Sequence, residues 1–391
     1  LKILHVTTGL ENGGAENLLA RLVGRMDPSS FENVVVSLTD EGADLGARIR
    51  HEGVPLHCLG FRRGIPDPRM LLAVARCIDR ERPDIVQTWM YHADMAGALA
   101  QPFTRHRIPL IWGLHNVALD VARSKTQTVG VTRLNARLSR RFPDRIVCCS
   151  EAVREDHVAM GYAPEKMRVI PNGIDTEEFV PDPPARVRLR RELGLAPETP
   201  LIGLIARFDP QKDHLTFFRA AGLLHKILPE AHFVLCGREI TPENTKLTEW
   251  AAENGVEGVT HLLGLRRDTA QVTAALDVAT CCSSFGESFA LVLGEAMACG
   301  VPVVTTDMAG PVSLVGDLGR IVSIRDAAAL AETWHELLTL SSTEREAWGR
   351  KARGRITDEF SLTRMVQGYE ALYRERYRFG AAAPEGEMAC H

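Results

Sequence analysis

Residues 278–307 read VATCCSSFGESFALVLGEAMACGVPVVTTD. An apolar run at 278–284 ends in two serines, followed by a phenylalanine and a glycine. The next apolar stretch, 289–299, is too long for one buried strand. It stops at Gly300, a residue suited to the left-handed turn that ends helices. PVVTTD then opens a second strand at 302. Strand, turn, helix and strand in this order make a βαβ unit with parallel strands.

The same alternation extends outward in both directions. Strands are expected at 200–207, 232–237, 260–264 and 319–324. Helices are expected at 215–228, 247–254, 269–276, 326–338, 342–359 and 361–377. The N-terminal part repeats the rhythm, with strands at 2–8, 33–39, 55–60, 84–89, 109–115, 145–150 and 167–173. Its helices fall at 16–26, 43–52, 68–81 and 93–100, and another starts near Ser150. Residues 176–200 are rich in Pro, Arg and Glu, with a short helix at 185–193, and read as a linker into a second domain. The pattern predicts an α/β protein with two Rossmann-like domains, at 1–178 and 179–358. A helix at 359–379 is expected to pack back on the first domain, before a flexible tail at 380–391. Two open parallel sheets facing each other would enclose a deep cleft. Ligands of such sheets bind beyond the strands' carboxyl ends, so the strand-to-helix junctions are where chemistry is expected.

Composition narrows the function classes. A chain of 391 residues suits two cores, and a formal net charge of -4 argues against nucleic acid as the main partner. No apolar run reaches membrane-span length, and no signal-peptide pattern opens the chain, so cytoplasmic residence is the default. Nine cysteines lack CxxC or zinc spacing and read as small core residues.

Four junctions carry candidate chemistry. Gly13 and Gly14 follow the first strand and can bring backbone amides close to a ligand at a helix start, although the GxGxxG fingerprint is absent. His115 ends the strand at 109–115. Arg207 and Lys212 flank the turn after 200–207, where two cations beside a helix start suit a pyrophosphate. Glu287 precedes the helix of the opening stretch and Glu295 lies within it, in apolar surroundings where a carboxylate needs a partner. The amides of Ser288, Phe289 and Ala290 would be free donors at that helix start. Each junction taken alone also fits a plain structural role.

Taken together and in this order, the motifs resemble the GT-B-fold retaining glycosyltransferases of family 4. Glu287 and Glu295, with seven residues between them, match the family's paired glutamates. Arg207 and Lys212 match its phosphate-binding pair, and Gly13–Gly14 its glycine loop. Pro171-Asn172-Gly173-Ile174-Asp175 matches an element that follows its N-terminal domain. The resemblance implies that Gly14 offers an amide to the donor diphosphate and that Arg207 and Lys212 stabilise the leaving nucleoside diphosphate. Glu287 would hold the sugar near the amides of Ser288, Phe289, Ala290 and Leu291. Glu295 would bind the ribose, and His115 would sit beside the transferred sugar. The base would lie against Gly237, Arg238 and Leu263. Two positions depart from common family forms, since Ala290 and Asp213 stand where Gly is frequent. The Ala290 methyl is expected to narrow the space by the sugar.

The expected reaction moves a hexose or related sugar from a nucleoside diphosphate, UDP before GDP, to a hydroxyl of a sugar or lipid-linked oligosaccharide. It would run on the front face without cofactor or divalent metal, since no DxD is present. The span 123–141 holds Arg123, Lys125, Arg133, Arg137, Arg140 and Arg141 and no acid, with Val131, Leu134 and Leu138 at helical spacing. With Arg62–Arg63 and Arg105–Arg107 nearby in charge, it suggests peripheral contact with an anionic inner leaflet, in polysaccharide or cell-envelope assembly. The alternatives are a nucleotide-sugar 2-epimerase on the same fold and a non-catalytic nucleotide-sugar binder.

Overall fold

The computed structural model describes residues 1–11, 13–62, 67–116 and 126–381, the last four as backbone only. Asn12, Arg63, Arg123, Lys125 and the tail beyond 381 lie outside the described residues. The chain divides into two compact units, Leu1–Gly173 with Leu362–His391, and Ile174–Ser361.

In the first unit, β1 (Lys2–Thr7), β2 (Glu32–Ser37), β3 (Leu56–Cys58), β4 (Ile85–Trp89), β5 (Leu110–Leu114), β6 (Arg145–Cys148) and β7 (Met167–Val169) form one parallel sheet. Its order is β3-β2-β1-β4-β5-β6-β7. β4 and β5 are buried along their whole length, as strands covered on both faces must be. That double burial is why β5 reads as a continuous apolar run rather than an alternating one, while β4 buries Gln87 and Thr88 among its apolar residues. Leu4, Val36, Val86, Trp112 and Ile146 share one core. The terminal helix, Leu362–Ala381, belongs to this unit and buries Tyr369 and Tyr373. The Arg376 guanidinium reaches Asp144 at 3.2 Å, and Arg168 reaches Glu375 at 3.0 Å.

The second unit holds β8 (Leu201–Ile205), β9 (His232–Cys236), β10 (Thr260–Leu262), β11 (Val278–Cys281), β12 (Val303–Thr306) and β13 (Arg320–Val322). These strands are parallel in the order β10-β9-β8-β11-β12-β13. A buried carboxylate ties its base. Asp277 accepts from Arg190 at 2.7 Å, Arg186 at 2.5 Å, Arg345 at 3.0 Å and the Leu201 amide at 2.8 Å. Arg190 is 1% exposed, and burial pulls its pKa down to about 10 despite the attraction of Asp277.

Both sheets reverse winding direction at one place, between β1 and β4 and between β8 and β11. Such switch points leave the loops after the two central strands splayed apart, and ligands of open α/β sheets bind there.

Two local features differ from expectation. The helix of the opening stretch is Leu291–Ala298, two residues later than the apolar pattern starts, because Ala290 adopts φ 55°, ψ 63° and cannot continue a right-handed helix. A helix at Ala309–Val315 was hidden by its Gly-Pro pair, which reads as a turn, although proline is tolerated in a first helical turn. Thr126–Ser139 is a full helix. Gly300 behaves as expected: its φ is 75°, its amide bonds to Met297 O, and the Val301 amide bonds to Ala296 O, which satisfies the helix's last carbonyls.

Candidate active site

The switch point of the second unit brings Arg207, Lys212 and Glu287 into two adjoining loops. After β8, Arg207 leads into a 3-10 turn at Pro210–Lys212. Asp209 caps that turn by accepting from the Gln211 amide at 2.9 Å. The same residue holds the Arg207 guanidinium at 3.1 Å, leaving the Arg207 side chain 48% exposed. Asp213 follows at φ 48° and caps the helix His214–His225, accepting from Thr216 Oγ1 at 2.8 Å.

The loop after β11 is stitched to this one. The Ser284 amide donates to Gln211 O at 2.8 Å. Lys212 Nζ donates to Glu287 Oε2 at 2.5 Å, and Ser283 Oγ donates to the same oxygen at 2.7 Å. The Ala290 amide is a third donor to the Glu287 carboxylate. Ser283 is itself held by Thr306 Oγ1, which donates to its carbonyl at 2.5 Å. Gly310 lies so close to the Ser288 carbonyl that a Cβ there would collide with backbone, so the loop has a fixed floor.

Electrostatics follow from these contacts. Burial alone would raise the Glu287 pKa. The Lys212 charge and the hydrogen bonds from Lys212, Ser283 and Ala290 outweigh it and hold the carboxylate below its usual range. Burial likewise opposes the Lys212 charge, and Glu287 reverses that, leaving Lys212 above its usual value. The pair is therefore ionised. A carboxylate with three donors is a weak proton acceptor, which disfavours Glu287 as a general base and suits it to holding hydroxyls.

The other second-unit candidates sort by what their backbones do. Glu295 lies half-buried in the second turn of Leu291–Ala298, beside Leu291 at its start. The three amides expected to be free do not all remain so, because Ala290 gives its N–H to Glu287. Phe289 is a core side chain, packed edge-on against Phe360 with ring centroids 5.8 Å apart. Ala290 is 4% exposed and shares that core, so its methyl packs inward rather than into open space. Ser288 is half-buried. Gly237 and Arg238 lie next to the Arg207 loop, with Phe208 N–H donating to Arg238 O and Gly237 N–H to Gly264 O, both at 2.9 Å. Gly237 has no room for a Cβ beside the Ala206 backbone. Leu263 packs partly on the core, and Arg238 is exposed.

The first unit's switch point carries the rest. Gly13 caps the helix Gly14–Arg25, with Gly14 exposed at its first turn. His115 directly follows β5 and is 6% exposed. Its Nδ1 lies 3.2 Å from Asn172 Oδ1, and its ring stacks on Trp89 at 5.0 Å and 12°. Burial lowers its pKa to about 4, against a smaller opposite push from Asn172, so the ring is neutral near pH 7. Sequence reading missed Ser283, Asp209 and Trp89, and gave Asn172 no role. A hydroxyl four residues before Glu287 and a tryptophan closing a buried strand were the available signals. Among the described residues, no group of three or more His, Cys, Asp or Glu is placed to hold a metal ion.

Two doubly wound parallel units, one carrying paired cations and a fixed carboxylate at its switch point, define a GT-B glycosyltransferase. Residues 12–178 match Glycosyltransferase Family 4, and residues 186–355 match Glycosyl transferases group 1. The chain is related to these glycosyltransferases, its first part resembling family 4 and its second group 1. The alpha-maltose-1-phosphate synthase of Mycolicibacterium smegmatis is 27% identical, over 82% of this chain and 90% of that protein. The D-inositol 3-phosphate glycosyltransferase of Segniliparus rotundus is 28% identical, over 95% of this chain and 83% of that protein. HepE of Anabaena, solved in complex with UDP-glucose, shares the fold with a TM-score of 0.82 at 23% identity, over 96% of this chain and 99% of that one.

Proposed function

We propose that this enzyme transfers a hexose from a UDP-sugar to an acceptor hydroxyl with retention of configuration. The observation that carries this reading is the Lys212–Glu287–Ser283 cluster beside Arg207 at the second unit's switch point. Arg207 and Lys212 are suited to the donor diphosphate, and the Glu287 carboxylate to sugar hydroxyls. Glu295 is assigned to the ribose, with the backbone around Gly237, Arg238 and Leu263 at the base. The first unit is assigned to the acceptor, with His115 and the Gly13–Gly14 amides as its contribution to the reaction.

The chemistry follows from which groups can take a proton. Glu287 is a poor base, so the acceptor's proton goes to an oxygen of the departing diphosphate. The anomeric C–O bond to phosphate breaks as the bond to the acceptor oxygen forms on the same face. The two cations offset the charge left on the nucleoside diphosphate.

A sugar or lipid-linked oligosaccharide is the proposed acceptor. On the helix Thr126–Ser139 and just after it, Arg133, Arg137, Arg140 and Arg141 are exposed with Leu134, while Val131 and Leu138 pack on the core. Contact with an anionic surface would thus be mainly electrostatic and lost in high salt. Among the described residues no helix is long and apolar enough to cross a membrane.

Calorimetric titration without metal, using UDP, GDP, ADP and UDP-glucose, tests the reading. Binding of UDP and UDP-glucose, weakened by Arg207→Ala and Glu295→Ala, is expected. Absence of binding by every nucleotide overturns it. A preference for GDP keeps the site and replaces the base.

A further inference from the structure

His115 sits at the end of a chain of contacts that begins three strands away. Asn33 on β2 accepts from His5 on β1, whose Nε2 lies 3.0 Å from Asn33 Oδ1. With that nitrogen donating, His5 Nδ1 is free to accept, and it takes the Trp89 indole N–H at 3.3 Å. Burial depresses the His5 pKa to about 4, so this neutral tautomer persists at ordinary pH. The Trp89 indole is thereby pinned against rotation in its own plane.

Trp89 also has two stacked neighbours. His115 stacks on it at 5.0 Å and 12°, and Tyr369 of the terminal helix stacks at 5.8 Å and 26°. The three rings are buried. The backbone beside Trp89 is strained to permit this. Met90 has φ 73° and ψ 158°, a region that side-chain-bearing residues rarely enter. Its amide bonds to Gly113 O at 3.0 Å, turning the chain sharply at the end of β4. Gly113 leaves space next to the imidazole, since a Cβ there would lie 3.4 Å from His115 Nε2 and closer still to Thr88 O. Strain held by surrounding contacts at a strand's carboxyl end is the pattern expected where a side chain's orientation matters.

We infer that Asn172 and Trp89 are positioning residues for His115. Asn172 holds the proton on Nδ1, which leaves the lone pair on Nε2, and Trp89 fixes the ring plane. The amide oxygen of Asn172 can only accept, so the 3.2 Å contact requires Nδ1 to be the protonated nitrogen. A second-layer contact that sets a histidine's tautomer is a common device where the opposite nitrogen does the work. The His5–Asn33 pair acts one step further back, on Trp89. This inference rests on the proposed contact of His115 with substrate, but its core, the tautomer, can be read without any substrate.

The test uses the full chain labelled with 15N at histidine. His115 is assigned by the signals missing in His115→Gln, and its two ring nitrogens are read by long-range proton correlation at pH 7. The Nδ1-protonated pattern is expected in the wild type. In Asn172→Leu that pattern should give way to the Nε2-protonated or an averaged form. Without acceptor, hydrolysis of UDP-glucose by Asn172→Leu should drop about tenfold in kcat with KM changed less than about twofold, as expected for misorientation rather than lost binding. Trp89→Phe, which keeps a ring to stack on, should retain more activity than Trp89→Leu. An Nε2-protonated wild-type ring overturns the inference, as does an Asn172→Leu protein with unchanged tautomer and unchanged kcat. If His115→Gln hydrolyses UDP-glucose at the wild-type rate, the role proposed for His115 fails instead, whatever the tautomer.

Discussion

Replacing Lys212 by methionine keeps most of its bulk and removes its charge. The ammonium lies 2.5 Å from Glu287 Oε2, and the two side chains are 16% and 11% exposed. Glu287 would keep Ser283 and Ala290 as donors but lose this full charge. Removing one partner of a buried ion pair costs about 3–5 kcal/mol, and the remaining hydrogen bonds place this case near 3 kcal/mol. Glu287→Gln strands the ammonium instead and should cost a similar amount. The double variant removes both charges, and the glutamine amide can still accept from Ser283. It should lie within about 1 kcal/mol of the wild type, since replacing a buried pair by neutral groups is often close to neutral. The double-mutant cycle would then give a coupling of several kcal/mol, far above the few tenths expected of uncoupled sites.

Urea unfolding followed by tryptophan fluorescence reads these differences. The pair also gives them a pH signature. Glu287 has a lowered folded pKa, so its contribution is present above its unfolded value and lost as acid protonates it. Lys212 has a raised folded pKa, so its contribution is present below its unfolded value and lost in strong base. The stability gap between wild type and Lys212→Met should therefore shrink as pH falls, starting where the variant's Glu287, raised by burial once Lys212 is gone, takes up its proton and ending below the ordinary carboxylate range, where the wild-type Glu287 does so. The double variant should still lose donor hydrolysis by roughly a hundredfold or more, as when a transition-state contact worth about 2–4 kcal/mol is removed. Single variants that each cost less than about 1 kcal/mol and sum in the double would refute the coupled pair.

Three further outcomes follow from the same geometry. Arg207→Ala should weaken UDP binding by about 2 kcal/mol, roughly thirtyfold by calorimetry, the size of a lost charge-assisted bond, with little change in stability because the side chain is 48% exposed. Asp213→Gly should be near neutral, since glycine relieves the left-handed backbone as the helix cap is lost. Asp213→Ala should be about 1 kcal/mol or more less stable by thermal unfolding, having lost the cap with no such relief. Asp277→Ala should destabilise by about 3–5 kcal/mol in urea by stranding buried Arg190, while a protein that still folds should bind UDP normally.

The strands were legible because both faces of each central strand are covered, so burial wrote itself into the sequence as largely apolar runs. Helix edges were less legible. The apolar pattern at 289 could not distinguish a helical residue from a buried loop residue, and Phe289 is the latter. The charged members of the site were legible for a related reason, since Arg207, Lys212 and Glu287 interrupt apolar context at strand ends. Their supports were not. Ser283, Asp209 and Asn172 are ordinary loop residues until their partners' positions are known. Trp89 reads as one more core aromatic, and what distinguishes it is its two stacked partners, His115 and Tyr369.

The two departures from glycine show how a family preference can be assigned to the wrong cause. At 290 the sequence suggested a methyl that narrows the space by the sugar. Asp213 and Ala290 instead both have left-handed backbones, at φ 48° and 55°, so glycine is favoured there for its freedom rather than its size. Asp213 offsets the strain by capping a helix, and aspartate is among the residues that tolerate this region. Ala290 has no capping side chain. It offsets the strain by burying its methyl with Leu293 and Phe289 and by giving its amide to Glu287. A residue facing the core cannot trim the space beside the sugar. On the proposed reading, in which Glu287 holds the sugar hydroxyls, donor screens should vary the hydroxyl pattern of the sugar before its bulk.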